Sequence, residues 1–250
     1  MFKEERYDQI LSILEKEQYV SASKLSERLY VSLPTIRRDL AELGRRNQII
    51  RSHGGAKAIQ AEHIVAPLDF RKTVNAAEKR ALCRRAASMV KDYDIIFIDS
   101  STTTLQMADF LSDKKGITVI TNGIPIATLL VQKGIKTYCT GGEIFENSLA
   151  HFGSFAEEFI QRFNIDVLFF SCHGVNEKGM LTDPSLPETQ IRKVAIHQSK
   201  ETVFLCDETK FSLSTPYNLV SIQSIDHIIT NSTVANKYFP AGENNKIIIV

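Results

Sequence analysis

The chain has 250 residues, a charged share of 24% and a formal net charge of +1, which is ordinary for a soluble globular protein. No apolar run reaches the roughly 18 to 20 residues that a membrane-spanning helix needs. The start, MFKEERYD, lacks the apolar segment of a secretion signal, so we expect a cytoplasmic protein with no membrane partner.

The four cysteines are too far apart in sequence to form a metal-binding or redox motif. They are Cys83, Cys139, Cys172 and Cys206. Reduced thiols are the prediction, and we expect no metal and no cofactor.

Three helical patterns occupy the first part of the chain. An apolar stripe predicts a helix over residues 4–16. Ser21 is a candidate N-cap for a helix over 22–29, and Ser32 for a third helix, LPTIRRDLAELGRR, after a short break. Helix, tight turn and helix form the helix-turn-helix arrangement, in which the second of the two helices enters the major groove of DNA.

The start of this third helix presents polar side chains to solvent. With Ile36 and Leu40 facing inward, Thr35, Arg37 and Arg38 face outward. Arginine can bond guanine with two hydrogen bonds, and Ser or Thr can contact bases or phosphates. Basic residues also outnumber acidic ones over residues 1–60, by 11 to 8. This surface is therefore predicted to bind double-stranded DNA.

The segment QIIRSHGGAKAI follows, with two short apolar runs around a Gly-Gly turn. It predicts a β-hairpin wing that places basic side chains near the DNA backbone. The predicted DNA-binding residues are Ser21, Ser32, Thr35, Arg37, Arg38, Arg51 and His53. A three-helix bundle with a solvated basic face is the alternative, but the order of cap, turn, outward arginines and wing favours DNA binding.

Residues 58–74 have no clear period and contain Pro67, so they predict a linker. We therefore expect a DNA-binding domain at 1–57, of small α+β type, and a second domain at 75–250 that binds an effector and oligomerises.

Short apolar runs alternate with helical patterns in the second domain. The predicted strands are 95–98, 118–121, 137–139, 167–170, 202–206, 227–230 and 246–250. The predicted helices are 75–91, 103–112, 124–132, 153–163 and 187–199. This alternation predicts an α/β fold, with a mostly parallel sheet that helices cover on both faces.

Polar loops follow several of the predicted strands. They read DSSTTT, TNGIP, TGGEIFENS, SCHGVNEKGMLTDPS and DETKFS in chain order. Each alone is typical of an ordinary strand-to-helix turn. Because parallel sheets bind ligands outside the carboxyl ends of their strands, the loops together predict a binding site.

The chemistry predicted for this site is anion binding. Backbone N–H groups at the start of a helix after Ser101 would face a phosphate, and the helix dipole would assist them. Lys210 supplies a counter-charge. Asp99 and Asp207 either orient sugar hydroxyls or hold loop amides. The predicted effector-binding residues are Asp99, Ser100, Ser101, Thr102, Thr103, Asn122, Gly141, Gly142, His173, Gly174, Asp207 and Lys210.

Two sets of residues carry a resemblance to a known family. VSLPTIRRDLAELGRRNQIIRSHGGA resembles the winged helix-turn-helix of the DeoR-type bacterial repressors. IFIDSSTTT, VITNGIPIA, TGGEIFENS, FFSCHGVNEKGMLTD and CDETKF resemble their C-terminal sensor domain, so that the resemblance covers about residues 1–240. It implies a homo-oligomeric repressor, dimer or tetramer, that binds operator DNA, senses a phosphorylated sugar and controls genes of carbohydrate uptake or catabolism.

That sensor domain is similar to ribose-5-phosphate isomerase, which carries an Asp-Gly-Ala-Asp loop after the strand that corresponds to VLFF. This chain has His173, Gly174, Val175 and Asn176 there, so both acids are absent and we expect no enzyme. His173 and Asn176 also depart from the family's common pattern, which often has Asp at both positions. Two hypotheses stay open beside a sensor: a second domain that only oligomerises, and an isomerase-like enzyme that uses Asp183 or Glu188, which otherwise resemble ordinary helix-start residues.

Overall fold

The computed structural model describes residues 2–17, 19–46, 48–52, 54–58, 68–239 and 246–250. The chain divides into two compact units, Met1–Ala66 and Pro67–Val250. No helix within the described ranges is long and apolar enough to cross a bilayer. The predicted domain boundaries stay predictions, although residues 68–73, which were assigned to the linker, are helical and lie in the second unit.

The described part of the first unit has the predicted winged helix-turn-helix architecture. Its helices are α1 (Lys3–Glu17), α2 (Ala22–Leu29) and α3 (Leu33–Arg45). Its strands are β1 (Tyr19–Ser21), β2 (Ile49–Ser52) and β3 (Gly55–Ala58). The wing is the β2–β3 hairpin, and β1, which the sequence did not predict, adds a third antiparallel strand on the β3 side.

Local contacts explain where the two helices of the motif begin. Ser21 Oγ accepts a hydrogen bond from the Lys24 N–H at 3.1 Å, which confirms the predicted N-cap of α2. Ser32 occupies the N-cap position of α3 but does not cap a backbone N–H. Its hydroxyl lies 2.9 Å from Thr35 Oγ1 instead, so the cap predicted there is confirmed in position only.

The first unit is held by an apolar core and by ion pairs between helices. Leu25, Ile36 and Leu43 are fully buried in that core. Arg6 Nε and Nη2 donate to the two carboxylate oxygens of Asp39 at 2.5 and 3.1 Å, which joins α1 to α3. The hydrogen bond with Asp39 raises the pKa of Arg6.

The second unit is built on the predicted parallel sheet. Its seven strands lie in the order β15-β14-β12-β9-β4-β5-β6, and all neighbours are parallel. They are β4 (Ile95–Ile98), β5 (Thr118–Thr121), β6 (Lys136–Cys139), β9 (Ile165–Phe170), β12 (Ser199–Cys206), β14 (His227–Thr230) and β15 (Ile247–Ile249).

Helices cover both faces of this sheet. The helices of the second unit are α4 (Leu68–Thr73), α5 (Ala76–Met89), α6 (Ile124–Gln132), α7 (Ser154–Ile160) and α8 (Leu186–Gln198). Side chains of α5 and α6 enter the core on one face of the sheet, and side chains of α7 and α8 enter the core on the other. Alternate strand residues enter two separate cores, since Phe97 and Phe170 belong to one and Ile96 and Phe169 to the other. The α/β fold predicted from the sequence is confirmed.

Two small antiparallel assemblies were not predicted. One is the hairpin of β7 (Glu143–Phe145) and β8 (Ala150–Phe152). The other is a sheet in the order β10-β11-β13, formed by β10 (Gly174–Val175), β11 (Met180–Asp183) and β13 (Tyr217–Ser221). Their strands are short and lie in polar loops, where sequence periodicity has little to detect.

The prediction of an α-helix at 103–112 is wrong. A 3₁₀ helix spans Leu105–Phe110 instead, and residues before it form turns. Hydroxyls of this loop bond to its own backbone, because Ser101 Oγ accepts from the Thr104 N–H at 3.2 Å and Thr104 Oγ1 donates to the Ser101 carbonyl at 3.1 Å. Such local bonds compete with helix formation. The predicted contribution of an α-helix dipole to anion binding therefore does not apply here.

Candidate functional site

The predicted DNA-binding surface of α3 is exposed as expected. Arg37 and Arg38 are both exposed, and Thr35 is half-buried. Within the described ranges neither arginine forms an ion pair, whereas Arg45 and Arg46 at the far end of α3 pair with Glu42 at 2.5 and 3.2 Å. Among the described residues, no carboxylate therefore neutralises the charge of the two outward arginines near the helix start.

The wing lies beside the same helix. Arg51 on β2 is exposed, and its aliphatic stem lies against Gly44 of α3, where an added Cβ would be 2.9 Å from Arg51 Cγ and Cδ. Ser21 is in register with Gly55 of β3, and a Cβ at Gly55 would be 2.4 Å from the Val20 carbonyl oxygen. Glycine is thus required for β3 to approach β1. His53 lies outside the described residues.

In the second unit, Asp99 joins two of the loops predicted to form the effector site. It is buried directly after β4, and its Oδ1 accepts from the Ser101 N–H at 3.2 Å and from Thr104 Oγ1 at 2.7 Å. Its Oδ2 accepts from the N–H of Ser171, after β9, at 3.3 Å. Of the two roles predicted for Asp99, the structure shows the holding of loop amides.

The loop after β5 is joined to the same edge. Asn122 Nδ2 donates to Ser100 Oγ and to the His151 carbonyl, both at 3.2 Å. Its Oδ1 is buried and has no hydrogen-bond partner in the part of the chain that the structure describes. Ser100 and Asn122, both predicted to bind the effector, therefore lie next to each other, and the amide keeps an unsatisfied acceptor.

Two ammonium groups flank the threonines of the DSSTTT loop. Lys210, in a 3₁₀ turn after β12, donates to Ser171 Oγ at 2.8 Å, to the Cys172 carbonyl at 2.7 Å and to Thr103 Oγ1 at 3.4 Å. Lys79 of α5 donates to Thr102 Oγ1 at 3.2 Å and to the carbonyl oxygen of Arg71, in α4, at 2.6 Å. Both cations thus make their hydrogen bonds within the described residues to neutral oxygens.

Burial and charge shift the titration of this group of residues. Burial lowers the pKa of Lys79 to about 8, and the charge of Lys210 acts in the same direction. Burial also acts to raise the pKa of Asp207, but Lys210 and the hydrogen bonds of Thr209 outweigh it, so that this pKa is lowered. Asp207 Oδ1 accepts from Thr209 N and from Asn75 Nδ2, at 3.1 and 3.2 Å, and so it too holds loop groups.

A buried charge cluster is hydrogen-bonded to these loops. Arg192 of α8 donates from Nε to Asp99 Oδ2 at 3.1 Å and from Nη1 to Asp183 at 2.8 Å and Glu188 at 3.2 Å. Burial acts to lower the pKa of Arg192, but the carboxylates outweigh it and the pKa is raised. Asp183 and Glu188, expected to be ordinary helix-start residues, are instead ligands of this guanidinium group.

The remaining predicted residues have mainly structural contacts. The His173 N–H donates to Asp183 Oδ1 at 3.0 Å. Gly142 has a φ of +112°, and an added Cβ would lie 2.6 Å from the Phe152 carbonyl oxygen. The sequence predicts that a ligand comes close to the backbone at Gly141 and Gly142. At Gly142, the backbone of β8 comes close instead. At Gly174, an added Cβ would lie 2.6 Å from the Leu213 carbonyl oxygen.

Sequence reasoning missed Arg71, Lys79 and Arg192. Lys79 precedes Leu82 and Cys83 by three and four positions, so it lies on the buried face of α5, where a lysine is unusual. Glu188 and Arg192 have the same spacing of four on the buried face of α8. A charged residue at a position that the helical period buries is therefore the signal that could have identified Lys79 and Arg192.

Both parts of the chain match known protein families. Residues 74–232 match the DeoR C terminal sensor domain, and residues 6–62 match the DeoR-like helix-turn-helix domain. The uncharacterized HTH-type transcriptional regulator YulB of Bacillus subtilis strain 168 is 32% identical over 99% of this chain and 96% of its own length. The glycerol-3-phosphate regulon repressor of Escherichia coli K12 is 29% identical over 93% and 92%. Ribose 5-phosphate isomerase A from Methanocaldococcus jannaschii matches 55% of each chain at 17% identity and a TM-score of 0.42, which supports no functional conclusion.

Proposed function

Because this chain belongs to the DeoR family of transcriptional regulators, we propose that it is a repressor whose affinity for operator DNA is set by a phosphorylated sugar. Membership of that family makes it a DNA-binding regulator and not an enzyme, as the sequence predicted. The Escherichia coli relative is a glycerol-3-phosphate regulon repressor, which supports both repression and a phosphorylated carbohydrate as the signal.

The observation that carries the effector proposal is the pair of ammonium groups beside the DSSTTT loop. Lys79 is 5% exposed, and its hydrogen bonds in the described structure go to a carbonyl and a hydroxyl oxygen. Lys210 bonds likewise to two hydroxyl oxygens and a carbonyl oxygen. Arg192 is already bound to three carboxylates, whereas both lysines lie beside the hydroxyl groups of the loop, where an anion would meet them. A phosphate group has the charge and the acceptor oxygens for this place.

The DNA-binding part of the proposal is supported by α3 and the wing. Arg37 and Arg38 are exposed near the start of α3 and make no ion pair among the described residues. Arg51 extends from the wing strand beside α3. We propose that α3 enters the major groove and that the wing contacts the backbone. A homo-oligomer, dimer or tetramer, would place such units on repeated half-sites.

Thermal denaturation with a panel of sugar phosphates tests the sensor proposal. The panel includes glycerol 3-phosphate, fructose 1-phosphate, glucose 6-phosphate and ribose 5-phosphate, with the unphosphorylated compounds as controls. At a concentration of about 100 times Kd, a ligand that binds only the folded protein stabilises it by about 2.7 kcal/mol, or a rise of roughly 5 to 10 °C in melting temperature. If no member of the panel stabilises the protein, the result contradicts the sensor proposal and favours a second unit that only oligomerises.

Lys210→Met should separate effector binding from DNA binding. We expect the affinity for the active sugar phosphate to fall at least tenfold, because the phosphate loses a charge-assisted hydrogen bond. Affinity for DNA without effector should stay unchanged. Lys200→Met is the matched control, since Lys200 is an exposed lysine at the other end of β12. An unchanged effector affinity in Lys210→Met would show that the phosphate binds elsewhere.

Phosphate binding should also take up protons near pH 8. Half of the Lys79 side chains are protonated at about pH 8, and a bound dianion raises their pKa, so about half a proton enters per ligand at most. Among the groups facing Lys79, Asp207 has a lowered pKa and Cys83 a pKa raised to about 12, so neither titrates near pH 8. Arg71 also faces Lys79, and burial lowers its pKa. Lys210 faces Lys79 as well and lowers the pKa of Lys79.

Calorimetric titration at pH 8, in two buffers of different ionisation enthalpy, measures this uptake. The Lys79→Met variant serves as the control that lacks the titrating group. Equal proton uptake by the wild type and this variant would assign the titration to another group.

A further inference from the structure

Helix α4 is the first described element of the second unit, and residues 59–67 join it along the chain to the DNA-binding unit. The side chain of Lys79 ties this helix to the proposed phosphate site. Lys79 Nζ donates both to the carbonyl oxygen of Arg71 in α4, at 2.6 Å, and to Thr102 Oγ1 in the DSSTTT loop, at 3.2 Å. One buried ammonium group therefore contacts both α4 and the loop.

The side chain of Arg71 gives α4 a second connection to the same region. Its Nη2 donates to the carbonyl oxygen of Asn147, in the turn between β7 and β8, at 3.1 Å. Its charge also interacts with Glu188, Arg192 and Asp99 of the buried cluster. A dianion bound at the carboxyl ends of the strands would therefore change the electrostatic surroundings of the Arg71 side chain.

A phosphate oxygen and the Arg71 carbonyl oxygen would both attract the same ammonium group. Charged acceptors form shorter and roughly twice as strong hydrogen bonds as neutral ones. Lys79 is 5% exposed, so water has little access to replace a lost partner. A phosphate oxygen near Thr102 would therefore draw the ammonium group towards the loop and weaken its bond to α4.

We propose that Lys79 is a positioning residue that couples occupancy of the phosphate site to the docking of α4. When phosphate binds, the ammonium group leaves the Arg71 carbonyl and α4 loosens at the point where the chain continues to the DNA-binding unit. The coupling rests on the proposed function, because it takes a phosphate as the ligand. By linkage, DNA and phosphate then alter each other's affinity by the same factor.

Hydrogen exchange of the full-length protein, from milliseconds to hours, tests the proposal with inorganic phosphate as the probe. Phosphate affinity is first measured for each variant by thermal denaturation, so that exchange is compared at saturation. In the wild type, phosphate should speed exchange over residues 68–73 at least about threefold. In Lys79→Met, exchange there should already be fast without phosphate and should not respond to it.

Lys72→Met is the matched control. Lys72 is a lysine of the same helix whose ammonium group pairs with Asp69 at the surface, at 3.2 Å. We expect this variant to respond to phosphate as the wild type does. A parallel measurement of duplex DNA affinity, with a site selected from a random-sequence pool, should show a phosphate effect in the wild type and in Lys72→Met, and none in Lys79→Met.

The outcomes separate this coupling from the sensor proposal. Saturation with phosphate that leaves α4 exchange unchanged in the wild type, or that still changes it in Lys79→Met, overturns the coupling and leaves the phosphate site standing. Failure of the wild-type protein to bind phosphate overturns the site and the coupling together.

Discussion

Arg192→Met is expected to destabilise the second unit severely. Arg192 is bound to Asp99, Asp183 and Glu188, and all four residues are buried. Removing the cation leaves three carboxylates in a poorly solvated place, and breaking a buried ion pair from one side typically costs about 3 to 5 kcal/mol. Since domains have only about 5 to 15 kcal/mol of stability, the melting temperature should fall by roughly 10 °C or more.

The pH dependence of this loss identifies its cause. Burial already raises the pKa of Asp183, and the charge of Arg192 opposes that rise; without Arg192 this pKa rises further above its unfolded value, so protonation of Asp183 on acidification favours the folded variant. The difference in unfolding free energy between wild type and variant should therefore be largest near neutral pH and shrink towards pH 5. Urea denaturation at several pH values measures it.

A matched control is available on the same helix. Lys193 is the next residue of α8 and is exposed, so Lys193→Met should leave the stability within about 0.5 kcal/mol of the wild type. If Arg192→Met is as stable as this control at neutral pH, the buried cluster does not hold the loops together.

The second large effect is expected on DNA binding. Replacing both Arg37 and Arg38 with alanine should weaken binding to a duplex selected by the wild-type protein by about 100-fold or more. Each arginine that bonds a base edge or a phosphate contributes about tenfold to 100-fold, and neither makes an ion pair among the described residues. Stabilisation of the protein by sugar phosphates should be unaffected.

Fluorescence anisotropy with labelled duplex, measured at several salt concentrations, checks this result. The slope of log affinity against log salt concentration should become shallower, because fewer counterions are released. Arg45→Ala is the control on the same helix, since Arg45 is exposed but pairs with Glu42. Binding by the double variant within threefold of the wild type would place the DNA-binding surface elsewhere in the first unit.

Much of the fold was predictable because it depends on local patterns. The run IIFI at 95–98, for example, forms an apolar strand with both faces buried, which is typical of the middle of a parallel sheet. The cap at Ser21 and the outward position of Arg37 and Arg38 follow equally from neighbouring residues. The predicted helix at 103–112 failed because the hydroxyl side chains of the loop bond to their own backbone.

The candidate site was predictable only in outline. The loops were placed at one edge correctly, since parallel strands bring their carboxyl ends together. The helical spacing of Lys79 and Arg192 indicates their burial but not their partners, because Thr102 is 23 positions from Lys79 and Asp99 is 93 positions from Arg192. Hydrogen bonds over such separations leave no periodic signal in the chain.

By itself, the sequence determined the family, the order of helices and strands, and the outward arginines of α3, because these depend on motifs, apolar periodicity and caps within a few turns of chain. Only the tertiary structure decided what each polar side chain of the strand-end loops does. It showed that Asp99 and Asp207 hold loop groups, that Asp183 and Glu188 bind Arg192, and that Lys79 joins α4 to the DSSTTT loop. The physical reason is that a buried charge takes its partner from whatever the packed chain brings within hydrogen-bond distance, regardless of its place in the sequence.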